Sequence, residues 1–195
     1  LFRIEKGGHT FWVGAAVPEG TTDFSRAYVY YHPATMGDLV PSYQTFSGKW
    51  QKLRNYTIGR GVQLGAVRKM VLIVPYMFNS KDPSANVFGH RGVDTLNDII
   101  TAIQLTLNVD GGTGTLSRVG VASFSSGNVH MRNFIANVGG SGIIREQIDF
   151  DGAHIVGSDK SVPSLAGAMN WMVTQEKPLH GDKIGWKIGW LELPK

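Results

Sequence analysis

Apolar positions along the chain change period several times, and each change marks an element. Thr10 to Val17 (TFWVGAAV) is apolar and β-prone and is turned off by Pro18-Glu19-Gly20, which predicts an early strand at the edge of a sheet. Arg26 to Tyr31 (RAYVYY) predicts a second strand, stopped at His32-Pro33 because proline has no ladder donor. Met36 to Gly48 reads as loop and Lys49 to Val67 as a helix whose second half is weakened by Gly59, Gly61 and Gly65. Arg68 to Tyr76 (RKMVLIVPY) is the most continuous apolar run, the pattern of a central parallel strand covered on both faces.

Asn79 to Gly92 (NSKDPSANVFGHRG) reads as a long polar loop, a place where function often sits. Leu96, Ile99, Ile100, Ile103 and Leu107 then recur at helical spacing and predict an amphipathic helix over Val93 to Leu107. Leu116 to Phe124 is a buried strand, Gly127 to about Val138 a helix with Val129, Phe134, Ile135 and Val138 on one face, and Arg145 to Phe150 a further strand. Ser161 to Ala168 can start a helix, and for Ala168 to Thr174 periodicity leaves helix and strand open. The chain ends with a four-residue unit used twice, KIGWKIGW, in which the glycines favour a strand or irregular path. Strands alternating with helices at this spacing predict an α/β fold, a mostly parallel central sheet with helices on both faces.

The turn between the last-named strand and helix pair carries the candidate chemistry. Ser123-Phe124-Ser125-Ser126-Gly127 stands where a nucleophile elbow would, with small residues two before and two after Ser125 so that strand and helix can pack closely. The pattern is S-x-S-x-G rather than G-x-S-x-G, and a Ser-rich turn also reads simply as a helix N-terminus capped by Ser125 or Ser126. Ser125, His32 and Asp151 all follow directly on a predicted strand end, the side of a parallel sheet where working residues gather.

Composition narrows the picture. At 195 residues, 42% of them hydrophobic, the chain is long enough for one sizeable core, so residues 1–195 are expected to form a single domain. The net charge of +4 is spread over scattered Lys and Arg with no basic run, which argues against nucleic acid as a partner. The absence of cysteine removes disulfides, thiolate metal sites and a cysteine nucleophile, and leaves the compartment unreadable. No apolar run approaches the ~18 residues of a transmembrane segment. The chain begins at Leu1 rather than Met, which allows for a leader or an upstream domain and for this being one part of a longer polypeptide. No His and carboxylate set has metal-ligand spacing, so neither a metal nor a cofactor is implied.

The order of strand RAYVYY, a loop opening at His32-Pro33, helix, strand MVLIVPY, helix, strand VGVASF, elbow, helix and strand QIDFD, over roughly Phe11 to Ala153, resembles the α/β-hydrolase superfamily. The resemblance implies a three-layer sandwich and a lipase- or esterase-like serine hydrolase with a small-molecule ester or lipid substrate. It implies Ser125 as nucleophile, with one oxyanion-hole amide from Ser126 and the other from the loop after His32. That loop often begins His-Gly in the family; Pro33 has no N–H, so the amide of Ala34 or Thr35 would have to serve. The acid is implied at Asp151, in a turn similar to the Asp-Pro-Ala-like turn of the pancreatic-lipase-like branch, with Asp149 and Asp159 as competitors. His180, Gly-flanked and near the C-terminus, matches the family's base better than His154, which follows Asp151 by only three residues.

Each of these residues has a plainer reading: Asp151 as a turn or cap residue, His180 as an exposed loop residue, His32 as a structural hydrogen-bonding group. Trp186 and Trp190 either cover the core or form a patch for lipid or a protein partner. Two functions follow from the sequence: a serine hydrolase of esters, with acyltransferase or thioesterase chemistry not separable from it, and a non-catalytic binding module on the same scaffold, favoured by the departures at Ser123 and Pro33.

Overall fold

The computed structural model describes residues 1–6, 9–32, 69–76, 84–107, 115–124, 127–150, 167–173 and 191–192. Among the described residues eight strands form one sheet: β1 (Phe2–Lys6), β2 (His9–Ala16), β3 (Arg26–Tyr31), β4 (Val71–Pro75), β5 (Arg118–Phe124), β6 (Ile144–Phe150), β7 (Met169–Val173) and β8 (Leu191–Glu192). Their spatial order is β1-β2-β4-β3-β5-β6-β7-β8. The centre, from β4 through β3, β5 and β6 to β7, is parallel, and β1, β2 and β8 join it antiparallel at the two sides.

Two helices are described, α1 (Ser84–Leu107) and α2 (Asn128–Val138), the latter followed by a 3₁₀ turn over Gly139–Ser141. Both helices pack on one face, where Val13, Ala27, Val29, Tyr31, Val71, Ile73, Val119 and Val121 form one core with Leu96, Ile99, Ile100 and Ile103 of α1 and Met131, Phe134, Ile135 and Val138 of α2. On the other face Tyr28, Tyr30, Leu72, Val74, Tyr76, Ala122 and Ile148 are equally buried. The fold is therefore α/β, a three-layer arrangement about a mostly parallel sheet. Burial on both faces explains why β4, VLIVP, has no polar alternation: every one of its residues is enclosed. Among the described residues no helix is long and apolar enough to cross a membrane.

Several details differ from the sequence-based expectations. TFWVGAAV lies inside the sheet rather than at its edge, because the short strand FRIEK, with alternating charges that mask its period, pairs outside it. β4 is parallel to β3 but antiparallel to β2 on its other side. The stretch read as a loop up to Gly92 is helical from Ser84 onward, so α1 is far longer than its apolar stripe. Gly92 is accommodated there because α2 crosses at that point: a β-carbon on it would lie 2.5 Å from the Phe134 ring. The apolar part of the buried stripe of α1 also stops at Ile103, with Gln104 buried beside it; Leu107 is 48% exposed. On α2, His130 and Met131 turn inward where Val129 was expected. The undecided segment after Ala168 is strand β7, settled by its parallel pairing with β6. The expected helix over 49–67, the loop over 36–48, residues 161–166 of the helix start expected over Ser161 to Ala168, and the KIGWKIGW repeat with Trp186 and Trp190 lie outside the described residues; Gly167 and Ala168 are turn and bend, not helix.

Candidate active site at the carboxyl edge of the sheet

The three central parallel strands β3, β5 and β6 end side by side. Their register sets Tyr31 beside Ser123 and Ser123 beside Asp149, and one step on it pairs Phe124 with Phe150. This carboxyl edge is where a parallel sheet exposes the loops that carry chemistry. Ser125 and Asp151 are the residues that follow directly on the paired Phe124 and Phe150.

β5 ends at Phe124 and helical geometry begins at Gly127, so only two residues, Ser125 and Ser126, connect strand to helix. Gly127 is held against the end of β3. A β-carbon there would lie 2.3 Å from the carbonyl oxygen of Tyr31 and 2.7 Å from that of His32, so no larger residue fits without moving backbone. The need for a small residue two places after Ser125 is thus a physical contact with β3. Two places before it, Ser123 is completely buried, and its hydroxyl lies 3.3 Å from Asp149 Oδ1, to which it donates. The serine found where glycine was expected is fitted by that hydrogen bond. Asn128, the first residue of α2, donates through Nδ2 to Asp149 Oδ2 at 2.7 Å.

The strand–turn–helix and the sheet order belong together. The fold they build is α/β about a mostly parallel sheet. In overall path the chain is similar to an alpha-beta serine hydrolase homologue from Coxiella burnetii, at 12% identity, covering 89% of this chain and 72% of that one with a TM-score of 0.43. It is also similar to ESTFA in an iron-lacking apo form, at 16% identity, covering 81% of this chain but only 46% of that one, with a TM-score of 0.40. No family model and no curated protein sequence matches the chain.

Around this edge the described side chains include the buried Tyr31, His32 and Tyr76 and the partly buried Phe124 and Phe150. His32 is fully buried, its ring stacked on Tyr76 at 5.3 Å between centroids and 28° between planes, a packing role at the end of β3. Tyr31 lies with its ring 6.1 Å from that of Phe134 on α2. Burial pushes its hydroxyl well above the ordinary tyrosine range, so it is a neutral phenol. The N-terminus of α2 adds the positive end of a helix dipole to the same edge, with no acidic residue in its own first turn.

Ser125, Ser126, Ala34, Thr35, Asp151, His154, Asp159 and His180 lie outside the described residues. Asp149, named from the sequence as a competitor to Asp151, is 2% exposed and turned under the helix start, with both carboxylate oxygens accepting hydrogen bonds. Asn128 was not singled out from the sequence. The signal was present, an asparagine at a helix start after a Ser-rich turn, but its partner depends on how β6 sits beside β5.

Proposed function

We propose that the protein is a serine hydrolase of carboxylic esters, lipase- or carboxylesterase-like, working through an acyl-enzyme on a small-molecule ester or lipid. The observation that carries this reading is the two-residue connection between Phe124 and Gly127, with Gly127 wedged against the Tyr31 and His32 carbonyls. Ser125 is the nucleophile in this reading. Its hydroxyl is a weak nucleophile until a neutral imidazole takes the proton as the carbonyl is attacked, and we assign that base to His180. The same imidazole then protonates the leaving alcohol. Asp151 orients the imidazole and stabilises its charged form. We prefer it to Asp149 because the oxygens of Asp149 already accept from Ser123 and Asn128. The amides of Ser126 and Ala34 stabilise the tetrahedral oxyanion, at about 3 kcal/mol for each donor. No step calls for a metal or cofactor.

The test is labelling with a fluorophosphonate together with turnover of short-chain p-nitrophenyl esters. Labelling at Ser125, and loss of both labelling and turnover in Ser125→Ala, is the expected result. A protein that is folded but neither labelled nor active, or a Ser125→Ala variant that retains turnover, rejects the hydrolase reading and favours a binding module on the same scaffold.

A further inference from the structure

A carboxylate lies beneath the turn where hydrophobic packing alone would call for an aliphatic side chain. The helix-covered face of the sheet is built from residues such as Val29, Val121 and Ile73, yet at its carboxyl end β6 presents Asp149 to the same layer, 2% exposed. Burying a carboxyl group is costly unless its oxygens are hydrogen-bonded, so its position calls for a specific role. Its two oxygens reach opposite sides of one turn. Oδ1 accepts from Ser123, two residues before Ser125 on the incoming strand, and Oδ2 accepts from Asn128, three residues after it at the head of the outgoing helix. Ser123 and Asn128 are themselves 0% and 1% exposed, so neither bond competes with bulk water.

We propose that Asp149 is a positioning residue that clamps the two ends of the turn carrying Ser125; this rests on the reading of Ser125 as nucleophile. The turn is held from two directions. On the β3 side, Gly127 abuts the carbonyls of Tyr31 and His32, so the helix start has no room to move that way. On the β6 side, the carboxylate of Asp149 ties the helix start to the strand end, so it is held from moving apart. A steric stop and a hydrogen-bonded tie together fix the head of α2 relative to the ends of β3, β5 and β6. Displacements of about 1 Å between reacting groups can cost on the order of 100-fold in rate. Asp149 acts through Ser123 and Asn128.

The experiment compares the wild-type chain with Asp149→Asn, Asn128→Ala and the reciprocal pair Asn128→Asp with Asp149→Asn. The readouts are the second-order rate of fluorophosphonate labelling at Ser125, the pH–rate profile of that labelling, and thermal unfolding. Asp149→Asn places an amide donor against the amide of Asn128 and is expected to slow labelling about 10- to 100-fold. The midpoint of the pH profile is expected to stay at the wild-type value. The reciprocal pair restores a carboxylate facing an amide and is expected to recover the rate to within a few-fold. Asn128→Ala cuts the helix arm alone and is expected to slow labelling about 10-fold, which keeps the test open if Asp149→Asn does not fold.

Folded Asp149→Asn or Asn128→Ala protein that labels at the wild-type rate, even with a lowered melting temperature, overturns the proposal by reducing the clamp to a stabilising contact. A reciprocal pair as slow as the single variant overturns it, as does a displaced pH midpoint, which would make Asp149 the partner of the imidazole. Wild-type protein that is not labelled at Ser125 sinks the hydrolase reading and the clamp with it. Labelled wild type with unaffected variants sinks the clamp alone.

Discussion

A β-carbon added to Gly127 would lie 2.3 Å from the carbonyl oxygen of Tyr31, at the end of β3 and directly beneath the start of α2. The obstacle is backbone in a parallel strand, which cannot rotate aside as a side chain can. Gly127→Ala is therefore expected to destabilise the fold by about 1–3 kcal/mol through overpacking, read from the midpoint of urea unfolding. An unchanged midpoint would mean that the helix start is free to shift away from β3, and the tight turn would lose its physical basis.

Gly120 meets a different kind of obstacle. Its added β-carbon would lie 2.3 Å from Cε2 of Tyr28, on the neighbouring strand and fully buried. A ring can be removed where a carbonyl cannot, so the two glycines are separable by a double-mutant cycle. Gly120→Ala is expected to cost about 1–3 kcal/mol in the wild-type background and at least ~1 kcal/mol less in a Tyr28→Leu background, since residues in contact couple. Strictly additive effects would show that the ring is not what excludes the methyl group.

The central strands were legible because their signal is local. RAYVYY is β3 from first residue to last, and the apolar run ending at Phe124 is β5, because β-branched and aromatic residues bounded by turn-formers need no knowledge of the rest of the chain. FRIEK escaped notice because its charges alternate with only two apolar residues, and it is a strand by virtue of pairing with β2. The start of α1 was hidden by Gly92, whose cost in a helix is offset by the approach of Phe134, a fact of tertiary packing. At the site, the two-residue turn after Phe124 could be anticipated from small residues around Ser125. The contact of Asp149 with Ser123 and Asn128 could not, because it depends on the register of β6 beside β5, and nothing in either strand's composition specifies that register.

Burial along α1 makes a prediction in which position and not residue type decides. Leu96 is completely buried in the core between α1 and the sheet, whereas Leu105, on the same helix, is 75% exposed. Leu96→Ala is expected to lose about 2–5 kcal/mol through lost contacts and a cavity. Leu105→Ala is expected to stay within about 0.5 kcal/mol of wild type. Denaturant unfolding of both variants checks the pair, and comparable losses would place the helix in a different rotation on the sheet.

Acid stability is predictable at the turn that leads into β3. Asp23 Oδ1 accepts from the Ser25 hydroxyl at 2.6 Å and from the Ser25 amide at 2.9 Å, while Oδ2 accepts from Arg26 Nε at 2.7 Å. The same turn meets β5, since the Ser25 carbonyl accepts from the Ser117 amide at 2.8 Å, where β3 and β5 begin to pair. The Ser25 hydroxyl, then its amide, hold the Asp23 carboxyl below its ordinary pKa against an opposing effect of burial, and Arg26 adds a smaller lowering. A carboxyl group whose pKa is lower folded than unfolded binds fewer protons in the folded state, so its contribution is complete above the unfolded value, about pH 4, and disappears as pH falls through the lower, folded value. The Asp23 side chain is 45% exposed, so solvent screening limits the contribution to roughly 1 kcal/mol at most. The stability difference between wild type and Asp23→Asn is accordingly expected to be constant from neutral pH down to about pH 5, and then to shrink towards zero with further acidification. Salt at neutral pH should weaken the part due to Arg26 and leave the Ser25 hydrogen bonds in place. A difference that widens on acidification would reverse the sign of the linkage and show that the turn holds the protonated carboxyl.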